Sequence, residues 1–362
     1  MKKTFKELEI AEVRQETHDT VSVKITLPDH LIEDFAYKAG QYLTFRQTIN
    51  SEEVRRSYSL CSSPVDGEWR VAIKKVPGGR FSTYANKQLK AGHTIDVMPP
   101  QGNFTTDIKP NNEKAYVFFA AGSGITPVFS LIKTILSQEP KSQITLFYGN
   151  KTGGSIIFKE ALEALKNKNL GRLAIYYFLS RERMDAELFQ GRIDGEKCEK
   201  LLTCFPKLKS ADEFFICGPF QIIESVKNTL ISAGIDKSKV HFELFATPEQ
   251  LKQNGSSRPK VAEDIHADSS FSQVTVKVDG LSIDLNLAYD GDNILDAATQ
   301  RGADLPYSCK GGVCSTCKAK LVEGTVHMDV NYALEEDEIE DGYILSCQAH
   351  PTAERVVVDF DQ

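Results

Sequence analysis

The feature that most constrains this chain is the run Ser308-Cys309-Lys310-Gly311-Gly312-Val313-Cys314-Ser315-Thr316-Cys317, followed further on by Cys347 in ILSCQAH. The pattern C-x4-C-x2-C with one distant cysteine suits an iron–sulfur centre of two irons, each held by two thiolates. Gly311 and Gly312 leave no side chain in the way, so the chain can wrap closely and aim backbone amides at the sulfurs. A loop rather than a helix supplies that geometry. Zinc is the competing use of four cysteines, but zinc sites usually show paired C-x2-C knuckles, and only one such pair is present. His327 and His350 lie nearby and are not needed to complete four ligands.

A chain of 362 residues exceeds one ordinary core and suits two or three domains. With 41% hydrophobic and 26% charged residues it has a globular composition, and its net charge of −7 gives a nucleic-acid role no electrostatic support. No apolar run approaches bilayer length, and MKKTFKELEIAEV lacks the apolar centre of a signal peptide. A cytoplasmic protein without membrane contact is expected. Thiols stay reduced there, and clustered cysteines bind metal more often than they pair.

Residues 1–108 read as strands: TVSVKITL, QYLTFRQTI and EWRVAIKKV are rich in β-branched and aromatic residues, which predicts a small antiparallel barrel. From 109 to 246 short apolar runs (AYVFFAAG, QITLFYG, LAIYYFLS, EFFICG) alternate with helix-like stretches such as PVFSLIKTILSQ. That alternation predicts a parallel sheet with helices on both faces. Residues 247–270 are poor in large apolar side chains and read as a flexible linker. Residues 271–362 hold a hairpin-like strand pair, a short helix capped by Asp292 or Asn293, the cysteine loop and a closing strand. The acidic run from Glu335 to Asp341 reads first as a solvated helix face and second as a steering patch for a basic partner.

Two segments suit phosphate. Arg56-Ser57-Tyr58-Ser59 closes a strand, and Gly79-Arg80-Phe81-Ser82-Thr83 opens a helix whose free amides and dipole would cradle an anion that Arg56 could clamp. Ala120-Ala121-Gly122-Ser123-Gly124-Ile125-Thr126-Pro127 is a Gly-rich turn between strand and helix, with Thr126 expected as cap and Pro127 as first helical residue. It is not G-x-G-x-x-G, and by itself serves as a tight structural turn as readily as a binding loop. Ser180-Arg181 follows a strand, where a hydroxyl and a guanidinium suit a ribose 2′-phosphate. Asp185 nearby keeps the unphosphorylated nucleotide open.

In their order RSYSL, GGRFS, GNF, AAGSGITP, YGN and CGP resemble the ferredoxin–NADP reductase superfamily, and the cysteine spacing resembles plant-type 2Fe–2S ferredoxins. Together they resemble oxygenase reductases such as the reductase subunit of phenylacetyl-CoA epoxidase, over nearly the whole chain apart from the linker. The resemblance implies three parts: an FAD-binding antiparallel barrel, an NAD(P)-binding α/β domain and an α+β β-grasp ferredoxin domain. It also implies roles. Arg56 and Ser57, with Gly79, Arg80, Phe81, Ser82 and Thr83, would bind FAD, the pyrophosphate falling to Arg56 and Ser82. Tyr58 would lie against the isoalloxazine, with Ser59 near its hydride-accepting nitrogen. Ala72, Ile73 and Lys74 would line the ribityl and diphosphate. Gly122, Gly124 and Thr126 would contact the nicotinamide nucleotide, with Ser180 and Arg181 at an NADPH 2′-phosphate. Cys217 would stand beside the reactive nicotinamide carbon, with Phe245 shielding the other flavin face. A small buried thiol is the plainer fate of Cys217, and core packing that of Phe245.

The implied activity carries hydride from NADPH (or NADH) to FAD, then single electrons through 2Fe–2S to an oxygenase partner, with the linker letting the ferredoxin domain move. Shortening the linker without loss of turnover would refute that movement. A reductase for a different acceptor protein and a non-catalytic module with vestigial sites are the other readings. A pull-down separates the first, and a colourless protein would mark the second.

Overall fold

The computed structural model describes residues 4–245 and 271–362, so the linker expected at 247–270 lies outside the described residues. The chain divides into two compact units, one of them Phe5–Phe245 and the other described over 271–362.

The first unit opens with β1 (Lys6–Thr17), β2 (Thr20–Ile25), β3 (Tyr42–Ile49), β4 (Glu52–Ser59), β5 (Trp69–Lys74), α1 (Arg80–Lys87) and β6 (Thr94–Gln101). The strands pair antiparallel in the order β4-β3-β6-β1-β2-β5. The outer strands β4 and β5 meet through a bridge from Leu60 to Val71, and the Cys61 amide donates to the Arg70 carbonyl at 2.8 Å, which closes the sheet into a barrel. Alternate residues such as Val21, Val23 and Ile25 of β2 point inward, and Phe81 and Ala85 seat α1 against the same core.

The α/β part follows: β7 (Ala115–Ala121), α2 (Ile125–Gln138), β8 (Gln143–Asn150), α3 (Lys159–Lys168), β9 (Leu173–Leu179), α4 (Gly195–Cys204), β10 (Glu213–Gly218), α5 (Phe220–Ser232) and β11 (Val240–Leu244). All strand pairs are parallel, in the order β11-β10-β7-β8-β9. Tyr116 to Ala120 are all buried because helices cover both faces of the sheet, which is why the strand reads as a continuous apolar run. Strand order reverses between β7 and β10, and their carboxyl ends frame a crevice of the kind that takes ligands.

One detail departs from the sequence reading. A tight turn over Gly122–Gly124 leads into α2, which starts at Ile125 with Gly124 as its cap. The Thr126 hydroxyl does not cap; it donates to the Ser123 carbonyl at 3.0 Å. The glycine backbone begins the helix before Pro127 is reached.

The barrel is tied to α2. Ser63 and Thr134 hydroxyls lie 2.7 Å apart, Ser130 donates to the Ser62 carbonyl at 2.5 Å, and Lys133 pairs with Asp66. The connecting segment is held by the buried Glu139 carboxylate, which accepts from Asn112 at 2.6 Å, Ser142 at 2.6 Å and the Lys109 amide at 3.1 Å. Several donors thus satisfy the oxygens of this buried side chain.

The second unit contains β12 (Phe271–Val278), β13 (Leu281–Ala288), α6 (Ile294–Gln300), β14 (Lys318–Glu323), β15 (Val326–Met328), α7 (Glu336–Glu340), β16 (Tyr343–Leu345), β17 (Ala349–Pro351) and β18 (Arg355–Asp359). Its main sheet runs β13-β12-β18-β14-β16, with β12 and β18 parallel, and β15 and β17 form a separate ribbon. Of the two candidate caps, Asn293 takes the role, its Oδ1 accepting from the Asp296 amide at 2.9 Å. The acidic run forms the short exposed α7. Glu338 is its one half-buried residue and pairs with Lys318 at 2.7 Å, while its neighbours face solvent.

Candidate functional site

The barrel residues gather at the first turn of α1. Gly79 caps this helix, and a Cβ on it would lie 2.4 Å from Ser82 Oγ and 2.5 Å from Val76 Cγ2, so a larger residue there would push these side chains aside. Phe81 is buried, and its ring centroid lies 5.5 Å from that of Tyr58, which joins this turn to β4. Ser82 is turned inward, its Oγ accepting from the Val76 amide at 3.2 Å, while Arg80 pairs with Glu52. Thr83 is half-buried. Arg56 is exposed on β4, and Ser57 Oγ lies 2.9 Å from Thr44 Oγ1. Ala72 and Ile73 are core residues of β5. Asn86 bridges the two segments, donating to the Ile73 carbonyl at 2.9 Å and the Ser82 carbonyl at 2.8 Å, and its buried Oδ1 has no partner among the described residues. A glycine-capped helix start with free amides fits the pyrophosphate of FAD.

A cavity of about 530 Å³ opens at the carboxyl ends of β7, β8, β9 and β10. Gly122, Ser180, Arg181 and Phe245 line it as the sequence suggests, and so does Lys74, from the stretch assigned to the flavin. Lys74 is also held by Asp19 at 2.8 Å. Gly124 and Thr126 stand behind this lining. A Cβ on Gly124 would sit 2.1 Å from the Cys217 carbonyl oxygen, so the turn packs directly on β10. Gly124→Ala is therefore expected to destabilise the unit by about 1–3 kcal/mol, read as a lower denaturation midpoint; an unchanged midpoint would refute the close approach.

Three cavity residues escaped the sequence reading: Asn150, Lys151 and Arg192. Asn150 ends β8, and its buried Nδ2 has no partner among the described residues. The segment after β9 doubles back, Gln190 bridging to Leu179 and the Gly191 amide donating to the Leu179 carbonyl at 2.8 Å, which carries Arg192 to the cavity wall near Arg181. Among the described residues no carboxylate lines the cavity, and Lys151, Arg181 and Arg192 form no ion pair. Such a wall fits a polyanionic nucleotide.

Ser59 and Cys217 meet at a residue that the sequence reading passed over, Glu243. Ser59 Oγ donates to Glu243 Oε2 at 3.0 Å, and Glu243 faces Cys217 in the parallel register of β10 and β11. Burial pushes the Glu243 carboxyl up to about 8, against the pull of the Ser59 hydroxyl, so it holds its proton near neutrality. Burial, and after it Glu243, pushes the Cys217 thiol well up, and Cys217 is fully enclosed. It is a neutral thiol, not a nucleophile. The signal was present in HFELF, where one acidic residue interrupts an apolar strand.

In the second unit the four predicted ligands form two pairs. Cys309 and Cys314 sulfurs lie 3.2 Å apart, and Cys317 shares a side-chain hydrogen bond with Cys347. Among the described residues no three His, Cys, Asp or Glu side chains converge as a single ion would require. Two pairs of thiols fit two irons better than one zinc. The Gly311 amide donates to Cys309 Sγ at 3.3 Å. Gly312 has φ +70°, and a Cβ there would meet Val330 at 2.9 Å. Cys314 and the loop amides hold the Cys309 thiol down to about 6, and Cys317 lowers Cys347 in the same way. Their partners Cys314 and Cys317 are pushed up by these hydrogen bonds and by burial. The loop thus already favours thiolate on one member of each pair.

Family models match three stretches: an oxidoreductase FAD-binding domain over residues 7–106, an oxidoreductase NAD-binding domain over 118–228 and a 2Fe-2S iron-sulfur cluster binding domain over 276–352. The chain is 43% identical to one of the subunits of the 1,2-phenylacetyl-CoA epoxidase of Escherichia coli (strain K12), covering 99% of this chain and 98% of that one. It belongs to the reductase components of oxygenase systems. The ferredoxin reductase component of 3-ketosteroid-9-alpha-monooxygenase from Rhodococcus rhodochrous is 32% identical, over 98% of this chain and 96% of that one. In fold the chain is similar to phthalate dioxygenase reductase, with a TM-score of 0.58 at 21% identity and 98% of each chain covered. An oxygenase reductase of this type binds FAD, a nicotinamide nucleotide and a 2Fe–2S centre, and passes electrons from NAD(P)H to an oxygenase partner.

Proposed function

We propose that this reductase draws electrons from NADPH in preference to NADH and delivers them to an oxygenase acting on phenylacetyl-CoA or a related aromatic thioester. The observation that carries the nucleotide choice is the cavity wall, where Lys151, Arg181 and Arg192 stand without a carboxylate. The partner reading rests on the relative at 43% identity. The proposed division is FAD barrel 1–108, nucleotide domain 109–246, linker 247–270 and ferredoxin domain 271–362. A cytoplasmic location fits a reduced nucleotide donor and cysteines that must remain thiolate ligands. Cell fractionation tests it.

When bound, FAD splits the electron pair of a hydride into single electrons that a one-electron 2Fe–2S centre can carry. The chain's own residues do the rest. The α1 start and Arg56 hold the pyrophosphate of FAD, and Tyr58 supplies an aromatic face. Ser180, Arg181 and Arg192 hold the nucleotide 2′-phosphate, Gly122 lets its backbone come close, and Phe245 closes the cavity beside Lys74. Glu243 keeps a proton at the carboxyl that faces Ser59 Oγ. Cys309, Cys314, Cys317 and Cys347 hold the irons.

Anaerobic titration with each nucleotide, watching flavin and iron–sulfur absorption together, tests this reading. Charge-assisted bonds of this kind contribute about 1.5–3 kcal/mol. Arg181→Ala or Arg192→Ala should therefore raise the KM for NADPH roughly 10- to 100-fold and leave that for NADH unchanged. Equal loss for both nucleotides would refute the 2′-phosphate assignment. Reconstitution with an oxygenase that consumes phenylacetyl-CoA tests the partner.

A further inference from the structure

The nucleotide cavity holds one buried polar group that has no role so far. Asn150 closes β8 and lines the cavity, nine-tenths buried, and its Nδ2 has no hydrogen-bond partner among the described residues. The Tyr148 hydroxyl stands near enough to feel this amide but outside hydrogen-bond geometry, and it donates its own proton to the Gly122 carbonyl at 2.9 Å. A buried donor left open carries a desolvation cost that an acceptor on a ligand would remove.

The fold places this donor at the ribose of a bound nucleotide. Taken from β9, the sheet runs third, second, first, fourth and fifth strand of the α/β part, the order of dinucleotide-binding sheets. In such sheets an acid roughly 20 residues beyond the Gly-rich turn, where the second strand ends, binds the ribose 2′-hydroxyl of NAD. Here the second strand is β8, and it ends on Asn150. The Asn150 carbonyl accepts from the Ser180 amide at 3.0 Å and the Ser180 hydroxyl at 3.3 Å, and the Lys151 carbonyl accepts from the Arg181 amide at 2.8 Å. The ends of β8 and β9 are thus zipped together, and Asn150 sits directly beside the pair assigned to the 2′-phosphate. The acid that follows that pair, Glu182, is no part of the cavity lining; its Oε2 accepts from the Gly153 amide at 2.8 Å.

We propose that Asn150 is a determinant of nucleotide choice, its Nδ2 donating to the 2′-phosphate on the adenosine ribose. The inference rests on the NADPH reading above. The ribose 2′-oxygen of NADH is a hydroxyl, which can donate; that of NADPH carries a phosphate, which offers acceptor oxygens and negative charge. An amide donor serves the phosphate. A carboxylate in the same place would repel it and accept from the hydroxyl instead. Asn150 keeps the size of the acid while reversing its preference.

Calorimetric binding of NADP+ and NAD+, which differ only in that phosphate, to the intact chain loaded with FAD and cluster tests this, alongside the KM of the reduced forms. Asn150→Asp should weaken NADP+ by roughly 100-fold or more, through a lost charge-assisted bond and like-charge repulsion, while NAD+ binds at least as tightly as to wild type. Asn150→Ala should weaken NADP+ roughly 10-fold and NAD+ far less. Unchanged NADP+ binding in Asn150→Asp, or equal loss for both nucleotides, overturns the proposal; equal loss would make Asn150 a support for Tyr148. If the aspartate variant does not retain FAD, the alanine variant decides on the same outcomes. A wild type that binds NADP+ no better than NAD+ would sink the NADPH reading and this inference with it. Failure of the Asn150 assignment alone leaves the wild-type selectivity intact.

Discussion

Cys314→Ala should abolish the iron–sulfur absorption and EPR signals and cut electron delivery to the oxygenase by more than about 100-fold, beyond the 10–100-fold typical of losing an outer partner of a metal site. Flavin reduction by NADPH should persist, because the residues proposed for flavin and nucleotide all lie in the other unit. Each iron takes two thiolates, and removing Cys314 leaves Cys309 without its pair. The same split between retained flavin reduction and lost delivery is expected for alanine at Cys309, Cys317 and Cys347. Cys204 is exposed and lies outside the quartet, so Cys204→Ala should leave both signals intact. Iron and colour retained in Cys314→Ala would refute the assignment.

The cysteine loop was legible from sequence because its ligands are local: three of four fall within ten residues, and the glycines between them announce the close turn. Strand alternation in the barrel and apolar runs in the parallel sheet were legible for the same reason, since burial on one face or two writes a period into neighbouring residues. What escaped is non-local. Arg192 reaches the cavity only because the segment after β9 folds back along Leu179, and no pattern around Arg192 marks that return. Lys74 sits in a strand whose alternation says which face it takes but not that a second domain's cavity lies beyond it. Thr126 shows the limit of local signals: a hydroxyl before a proline reads as a cap, but the glycine turn starts the helix earlier. Glu243 is different again. Its neighbours gave a signal, but its meaning depends on Ser59, 184 positions away in sequence.

Glu243→Gln should remove a steep pH dependence from the stability of the first unit. The carboxyl stands at about 8 in the folded chain against an ordinary value of 4.5, because burial disfavours its charged form. A raised folded value means the native state holds the proton more tightly than the unfolded one. Stability from this group is fully present below pH 4.5, declines as pH rises and is gone above about 8. That difference corresponds to roughly 5 kcal/mol across that window. Chemical denaturation of the intact chain at several pH values should show wild type losing stability on this scale and Glu243→Gln losing far less. Parallel profiles would mean that Glu243 is solvated or ionised in the folded chain. The same substitution bears on function. A proton held near the working pH is what a residue handling protons at a reacting centre needs, and such groups contribute about 10²–10⁴-fold. Glutamine can still accept from Ser59 Oγ but offers no exchangeable acid proton, so flavin reduction should slow by at least about 100-fold while the KM for NADPH stays near wild type. A rise in KM without loss of rate would instead make Glu243 a residue that shapes the nucleotide cavity through Phe245, two positions along the chain.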